Sequence, residues 1–273
     1  MREGRLAGRV ALVTGAARGQ GRAHALRLAH EGADVIAADL EAPDAAGAGP
    51  LARDFAETVE QVRASGRRIV AGAADVRDPA QLRALVDDGV ARLGRLDVVV
   101  ANAGVAASAG VLEETEESWE RTLAVNLTGV WRTCRAALPH MLAGGRGGAI
   151  VAIGSTMAVK AAPRLASYVA SKHGLAGLVQ ALALELAPQR IRVNLVNPTV
   201  VDSPMLAELA PAGLDRDALA ERHRAVHALP VPWVEPADVS AAVAFLASDE
   251  ARHVTGAALA VDAGALLVSG SAR

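Results

Sequence analysis

Two residue types are nearly missing from this 273-residue chain: tyrosine occurs once, as Tyr168, and lysine twice among 28 basic residues. Cysteine is as scarce. The single Cys134 excludes an intramolecular disulfide framework and fits a reducing compartment. It lies in an apolar helical stretch and reads as a packing residue rather than a nucleophile. Positive charge is not in excess either. The formal net charge is -2, which leaves no electrostatic footprint for nucleic acid or an anionic membrane. Although 52% of the residues are hydrophobic, no apolar run approaches the roughly 18–20 residues of a membrane helix. Met1 to Val10 carry charge without an apolar signal core, so nothing marks export, and a cytoplasmic protein is expected.

What is present is a regular alternation. Short β-branched apolar runs predict strands at Val10–Thr14, Val35–Ala38, Ile69–Ala74, Leu96–Ala101, Ala149–Ile153, Arg192–Val196 and Ala258–Val261. Between them, Ala/Leu/Arg-rich segments predict helices near 20–31, 51–65, 79–93, 116–142, 167–187 and 236–248. Strands that are apolar throughout are buried on both faces, and repeated β-α alternation argues for an α/β doubly wound parallel sheet of seven strands. No linker or repeat divides the chain, so one domain is expected over 1–273. Its cofactor half spans about 8–155 and its catalytic and substrate half about 155–267. Leu40 to Pro50 reads as a surface loop. The irregular stretch from 203 to 232, with Pro211, Gly213, Pro230 and Pro232, reads as cover for a substrate pocket.

The two scarce residues meet. Tyr168 stands four positions before Lys172 at the start of a helical pattern, so both side chains share one face. An ammonium beside a phenol favours phenolate and lowers a pKa whose usual value is about 10, which is the chemistry of a general acid/base. His173, one position on, points about 100° away and reads as packing or capping. His223 and His227 have i, i+4 spacing but no third ligand, so no metal site is expected.

The first predicted strand runs into Thr14-Gly15-Ala16-Ala17-Arg18-Gly19-Gln20-Gly21 and then a helix. Glycines there let the backbone approach a pyrophosphate, while the helix start supplies amide donors and a positive dipole end. The second strand ends at Asp39, with Leu40 beside it. A carboxylate there accepts both adenine-ribose hydroxyls and repels a 2′-phosphate, which favours NAD over NADP. Arg18 argues the other way, because its guanidinium could pair with that phosphate. Asp75-Val76 closes the third strand, where it could meet an adenine ring or merely form a turn. Asn102-Ala103-Gly104 follows the fourth, where small residues would let a cofactor lie against the backbone.

Thr14-Gly15-x-x-x-Gly19-x-Gly21, Asn102-Ala103-Gly104, Asn126 within Val-Asn-Leu-Thr-Gly, Ser155 and Tyr168-x-x-x-Lys172 together resemble the short-chain dehydrogenase/reductase family. Ser155 stands thirteen residues before Tyr168, an interval that family shows. A narrower similarity, to the mycofactocin-dependent branch that includes carveol dehydrogenases, rests on several further features. These are Gly15 to Arg22 with His24, Gly66-Arg67-Arg68-Ile69-Val70, Asn126 to Trp131, Lys172-His173-Gly174, Asn197-Pro198-Thr199 and the long segment between Asp39 and Asp75. Thr199 departs from the Gly that most of the family has after this Pro, as the branch also does.

The resemblance implies a Rossmann-type fold and an NAD-dependent oxidoreductase. Tyr168 would be the general acid/base. Lys172 would lower the Tyr168 pKa and hold the nicotinamide ribose, and Ser155 would bind the substrate oxygen. Asn126 would help to hold a water that links Lys172 to solvent. Pro198, Val201 and Ser203 would face the nicotinamide carboxamide. The substrate implied is a small apolar secondary alcohol such as a terpene alcohol, or its ketone. The branch further implies a tightly held cofactor recycled by the redox peptide mycofactocin, and the family a homotetramer joined through 116–142, 167–187 and the last strand. Two alternatives stay open: a 3-oxoacyl thioester reductase with freely exchanging NADPH or NADH, and a dinucleotide-binding sensor without turnover.

Overall fold

The computed structural model describes residues 4–43, 49–210 and 213–268. Seven strands form one parallel sheet: β1 Val10–Thr14, β2 Asp34–Asp39, β3 Ile69–Ala73, β4 Val98–Ala101, β5 Gly148–Ile153, β6 Ile191–Pro198 and β7 Ala258–Val261. Their order is β3-β2-β1-β4-β5-β6-β7. The winding direction therefore reverses between β1 and β4, and such a reversal opens a crevice beyond the carboxyl ends of the strands.

Alternate residues of each strand feed two separate cores, which is why the runs are apolar throughout. Ala11, Val13, Val35, Val98, Val151 and Val196 face α1 (Gly19–His30), α2 (Pro50–Ala64) and α9 (Pro236–Ala247). Leu12, Ile36, Val99, Ile150 and Leu195 face α3 (Pro79–Leu93), α5 (Gly129–Gly144) and α6 (Ala166–Leu186). Cys134 is buried in the second core, and burial pushes its thiol up to about 12, which keeps it an inert packing group.

The expected elements are present with three departures. The stretch 116–142 is not one helix: α4 (Glu116–Leu123) passes through a π turn at Ala124–Thr128 into α5. Strand β4 starts at Val98, because the Asp97 carboxylate accepts the Val10 N–H at 2.9 Å and the Arg95 guanidinium at 2.7 Å. The irregular region contains two short helices, α7 (Pro204–Leu209) and α8 (Arg216–Arg224). Residues 44–48 of the loop expected at 40–50, and Pro211, lie outside the described residues. No helix among the described residues is long and apolar enough to cross a membrane.

Candidate active site

At the reversal point, the β1 turn and the β4 turn are laced together. Thr14 Oγ1 accepts the N–H groups of Asn102 and Ala103, each at 3.1 Å, and Asn102 Nδ2 donates to Thr14 O at 2.9 Å and Gly15 O at 3.3 Å. Asn102 is thereby spent on shaping the turn. Gly15 and Gly19 have left-handed φ values of 66° and 55°. Gly21 is required for another reason: a Cβ there would lie 1.8 Å from Gly15 O. The chain can fold back on itself only without that atom.

This turn leaves the start of α1 open. Its N-cap, Arg18, makes no side-chain cap and the first turn holds no acidic residue, whereas Asp78, Thr115 and Asp215 cap α3, α4 and α8. Uncapped amide donors at a positive dipole end suit a pyrophosphate. The Gln20 side-chain oxygen is buried there without a partner among the described residues, an acceptor still waiting for a donor. These features fit a dinucleotide.

Asp39 lies at the end of β2 and is fixed by two N–H groups, from Ala17 and Leu40, at 2.8 Å each. Burial nevertheless raises its pKa, with both amides and the Arg18 charge pulling it back. Arg18 is committed elsewhere: its guanidinium pairs with Glu208 of α7 at 2.9 Å. Asp75 is gripped by Arg77 at 2.5 Å, which holds its carboxyl below the usual range. The Val76 side chain is buried against α5, where a Cβ on Gly129 would stand 2.8 Å from Val76 Cγ2, so only its backbone is left to meet a ligand.

The other rim of the crevice is built on β5, β6 and α6. Ser155 follows β5; its N–H donates to Asn197 Oδ1 of β6 at 3.1 Å and its Oγ accepts the Met157 N–H at 3.1 Å. Gly154 makes the first contact possible, because a Cβ there would sit 2.2 Å from Asn197 Oδ1. Ser155 also pulls the Tyr168 phenol toward its ionised form, so the two side chains act on one another. Lys172 is buried, donates from Nζ to Ile153 O at 2.8 Å and lies 5.6 Å from the centre of the Tyr168 ring. Ser155, Tyr168 and Lys172 are thus brought together.

The electrostatics differ in sign from the sequence expectation. The Tyr168 pKa is raised, because desolvation of the half-buried phenol outweighs the pull of Ser155. Burial also draws the Lys172 ammonium down to about 8. Asn126 lies in the π turn and is tied to the backbone: Oδ1 accepts the Val105 N–H and Nδ2 donates to Val105 O, each at 2.9 Å. Its link to the helix of Tyr168 runs through Ser171 Oγ at 3.2 Å rather than directly to Lys172. A π turn with a committed polar side chain is a common mark of a functional site.

Beyond β6 the chain turns under the cover region. Pro198 ends the strand, and Thr199 Oγ1 meets His227 Nε2 at 2.9 Å while His227 Nδ1 donates to Val231 O at 2.8 Å. Val201 bridges to Val234, and Ser203 precedes α7 so close to the glycine turn that a Cβ on Gly19 would stand 3.6 Å from Ser203 Cβ. No group of three metal-ligating side chains occurs among the described residues, and His173 bonds along its own helix to Val169 O. The positioning roles of Asn197, quoted above only within the branch resemblance, and of Ser171 were not read from the sequence. The signal for Asn197 was a polar residue inside an apolar strand; Ser171 lay inside the Tyr-Lys motif itself.

Known proteins resemble this chain over nearly its whole length. A family model described as enoyl-(acyl carrier protein) reductase matches residues 15–265. The (-)-trans-carveol dehydrogenase of Rhodococcus erythropolis is 46% identical over 96% of this chain and 99% of its own length. The crystal structure of carveol dehydrogenase from Mycobacterium avium in complex with NAD is 48% identical, with a TM-score of 0.91 over 97% of this chain and 100% of that one. A short-chain dehydrogenase from Mycobacterium paratuberculosis bound to NAD is 44% identical, with a TM-score of 0.86 over 97% and 100%.

Proposed function

The chain belongs to the short-chain dehydrogenase/reductase family, and from that premise we propose that it is an NAD-dependent alcohol dehydrogenase and ketone reductase. Its substrate is a small, mostly apolar secondary alcohol of the terpene type, or the matching ketone, by analogy with the carveol dehydrogenases. The observation that carries the reading is the meeting of Ser155, Tyr168 and Lys172 at the end of β5, across the crevice from the uncapped start of α1. The long segments 203–210 and 213–232 act as the pocket cover, and the chain works as one domain.

NAD, when bound, supplies the hydride acceptor for the substrate carbon. Asp39 holds the adenine ribose, and the amides of Arg18, Gly19 and Gln20 hold the pyrophosphate. Gly15, Gly21, Asp75, Val76, Asn102, Ala103 and Gly104 shape the walls, and Pro198, Val201 and Ser203 close the nicotinamide end. Ser155 Oγ, already accepting from Met157, turns its own proton to the substrate oxygen and fixes its angle. Tyr168 takes the hydroxyl proton in oxidation and returns it in reduction. A raised phenol pKa suits the second role directly, and the nearby Lys172 ammonium favours the phenolate that the first requires. Asn126 secures the Val105 loop and, through Ser171, the helix that carries both groups.

We place the protein in the mycofactocin-dependent branch as a homotetramer working in the cytoplasm. The test is to purify it and ask whether NADH co-purifies and resists dialysis, with turnover requiring an artificial electron acceptor. Rapid steady-state turnover with free NAD would remove the branch assignment while leaving the dehydrogenase reading intact. The 3-oxoacyl thioester alternative calls for NADPH turnover, against which the anchored Asp39 carboxylate stands.

A further inference from the structure

A parallel sheet puts every strand start on one edge, and in this chain arginine gathers there. Arg9, Arg68, Arg95, Arg146 and Arg190 stand one to three residues ahead of β1, β3, β4, β5 and β6. Between the starts of β1, β4, β5 and β6, at the end of the sheet opposite Ser155 and Tyr168, lies a cavity of about 600 Å³. Six guanidinium groups line it, from Arg9, Arg95, Arg146, Arg190, Arg192 and Arg252, against two carboxylates, Asp97 and Asp249. With His253 neutral, six positive charges less two negative leave four.

Structural duties absorb only part of that excess. Asp97 is saturated, since Arg95 takes both its oxygens at 2.7 Å, Val10 N–H takes one of them again and Arg146 stands 3.6 Å from the other. Asp249 is held by Arg9 at 2.5 Å. Arg190 and Arg192 reach only backbone carbonyls, of Gly145 and of Ser248 and Val254. The Arg252 side chain makes no hydrogen bond or ion pair among the described residues. Three helices, α5, α6 and α9, end at this edge, and their dipoles add about half a negative charge each, leaving a local excess near +2.5. Burial, with a smaller push from the charge of Arg9, depresses the Arg192 pKa against the opposing pull of Asp249.

We propose that this cavity is a second binding site, for a compact polyphosphate anion such as a pyrophosphate or triphosphate group, separate from the dehydrogenase crevice. Guanidinium forks match phosphate oxygens in pairs, and the residual charge matches two to three negative charges on one small ligand. One carboxylate would leave most of the excess uncancelled. The arginines line a cavity rather than a flat face, which favours a compact anion over an extended polymer. Bound there, the ligand draws together the starts of β4, β5 and β6 and the end of α9, so it stabilises the fold without touching Tyr168.

The test uses the purified protein, with NADH present so that the dinucleotide crevice is filled, and compares sodium tripolyphosphate with KCl at equal ionic strength. Calorimetry and thermal melting are expected to show saturable binding and a raised Tm with tripolyphosphate only. Arg146→Glu with Arg252→Glu should weaken that binding at least about tenfold while NADH affinity stays unchanged. Should the pair disturb folding, Arg252→Ala alone, a side chain without partners, carries the same comparison. A parallel titration with ATP separates the sources: equal affinity identifies the phosphate chain alone, and tighter ATP binding a nucleotide. The proposal is overturned by a response equal to that of KCl, by binding that NADH abolishes, by unchanged affinity in the variants, or by affinity for heparin alone.

Discussion

Replacing His24 should make the protein more resistant to acid. The ring lies fully buried between α1 and α9, with Nδ1 at 2.8 Å from Ser240 Oγ. The Ser240 hydroxyl gives its own proton to Pro236 O, so Nδ1 carries the imidazole proton and Ser240 accepts it. Nε2 is buried with no partner among the described residues, so a second proton there would face none of them that could accept it. Burial accordingly drives the pKa from 6.5 down to about 3. The unfolded chain takes up a proton below its ordinary value while the folded one does not. Above pH 6.5 the group is therefore neutral in both states and contributes no pH dependence. As pH falls from there toward 3, stability is lost at about 1.4 kcal/mol per pH unit, or about 3 kcal/mol by a pH of about 4.5. His24→Asn keeps a donor for Ser240 and cannot charge. Urea midpoints at neutral pH and at a pH of about 4.5, measured for both proteins with the same cofactor load, give a difference of differences in which the lost packing cancels. The variant should lose about 3 kcal/mol less on acidification. Equal losses in the two proteins would refute the assignment of a neutral, unpartnered His24.

The remaining expectations concern the crevice. Lys172→Met should abolish turnover yet raise stability at neutral pH by up to about 3 kcal/mol, less the bond to Ile153 O, because burial holds the ammonium at about 8; the urea midpoint checks it, and a less stable variant counts against a strained lysine. That gain should shrink as pH rises from 8 toward 10.5, where the folded lysine has lost its charge and the unfolded one has not. Tyr168→Phe should remove alcohol oxidation while NADH fluorescence titration still shows binding, and appreciable residual turnover would unseat Tyr168 as the base. Asn197→Ala should lower kcat about tenfold with little change in KM, because it frees Ser155 from its anchor, while Asn197→Asp, which keeps an acceptor, should recover most of the rate. Asp39→Ser should weaken NAD binding to cofactor-stripped protein about tenfold and narrow its preference over NADP, read by calorimetry.

Which of these features could be read from residues alone depends on how far apart the partners stand in the chain. Strands β1 and β7 match their apolar runs end to end, because polar or turn residues bound each run on both sides. The Tyr168–Lys172 pair was legible because helical spacing alone sets it, and Ser155 because one strand-to-helix unit carries it. Arg18 was not: its partner, Glu208, stands 190 residues away and reaches it only because β6 returns beside the crevice. The π turn at Asn126 was hidden for a different reason, since one widened turn leaves the apolar periodicity of 116–142 almost unchanged. The sign of the Tyr168 shift was misjudged because proximity of an ammonium is a local fact, whereas burial is a property of the whole fold. Burial acts on the phenol more strongly than the pull of Ser155, so the non-local cause prevails. The same rule explains why the arginines ahead of five strands carry no signal along the chain. Only a parallel sheet, by bringing all strand starts to one edge, turns residues from Arg9 to Arg252 into neighbours around one cavity.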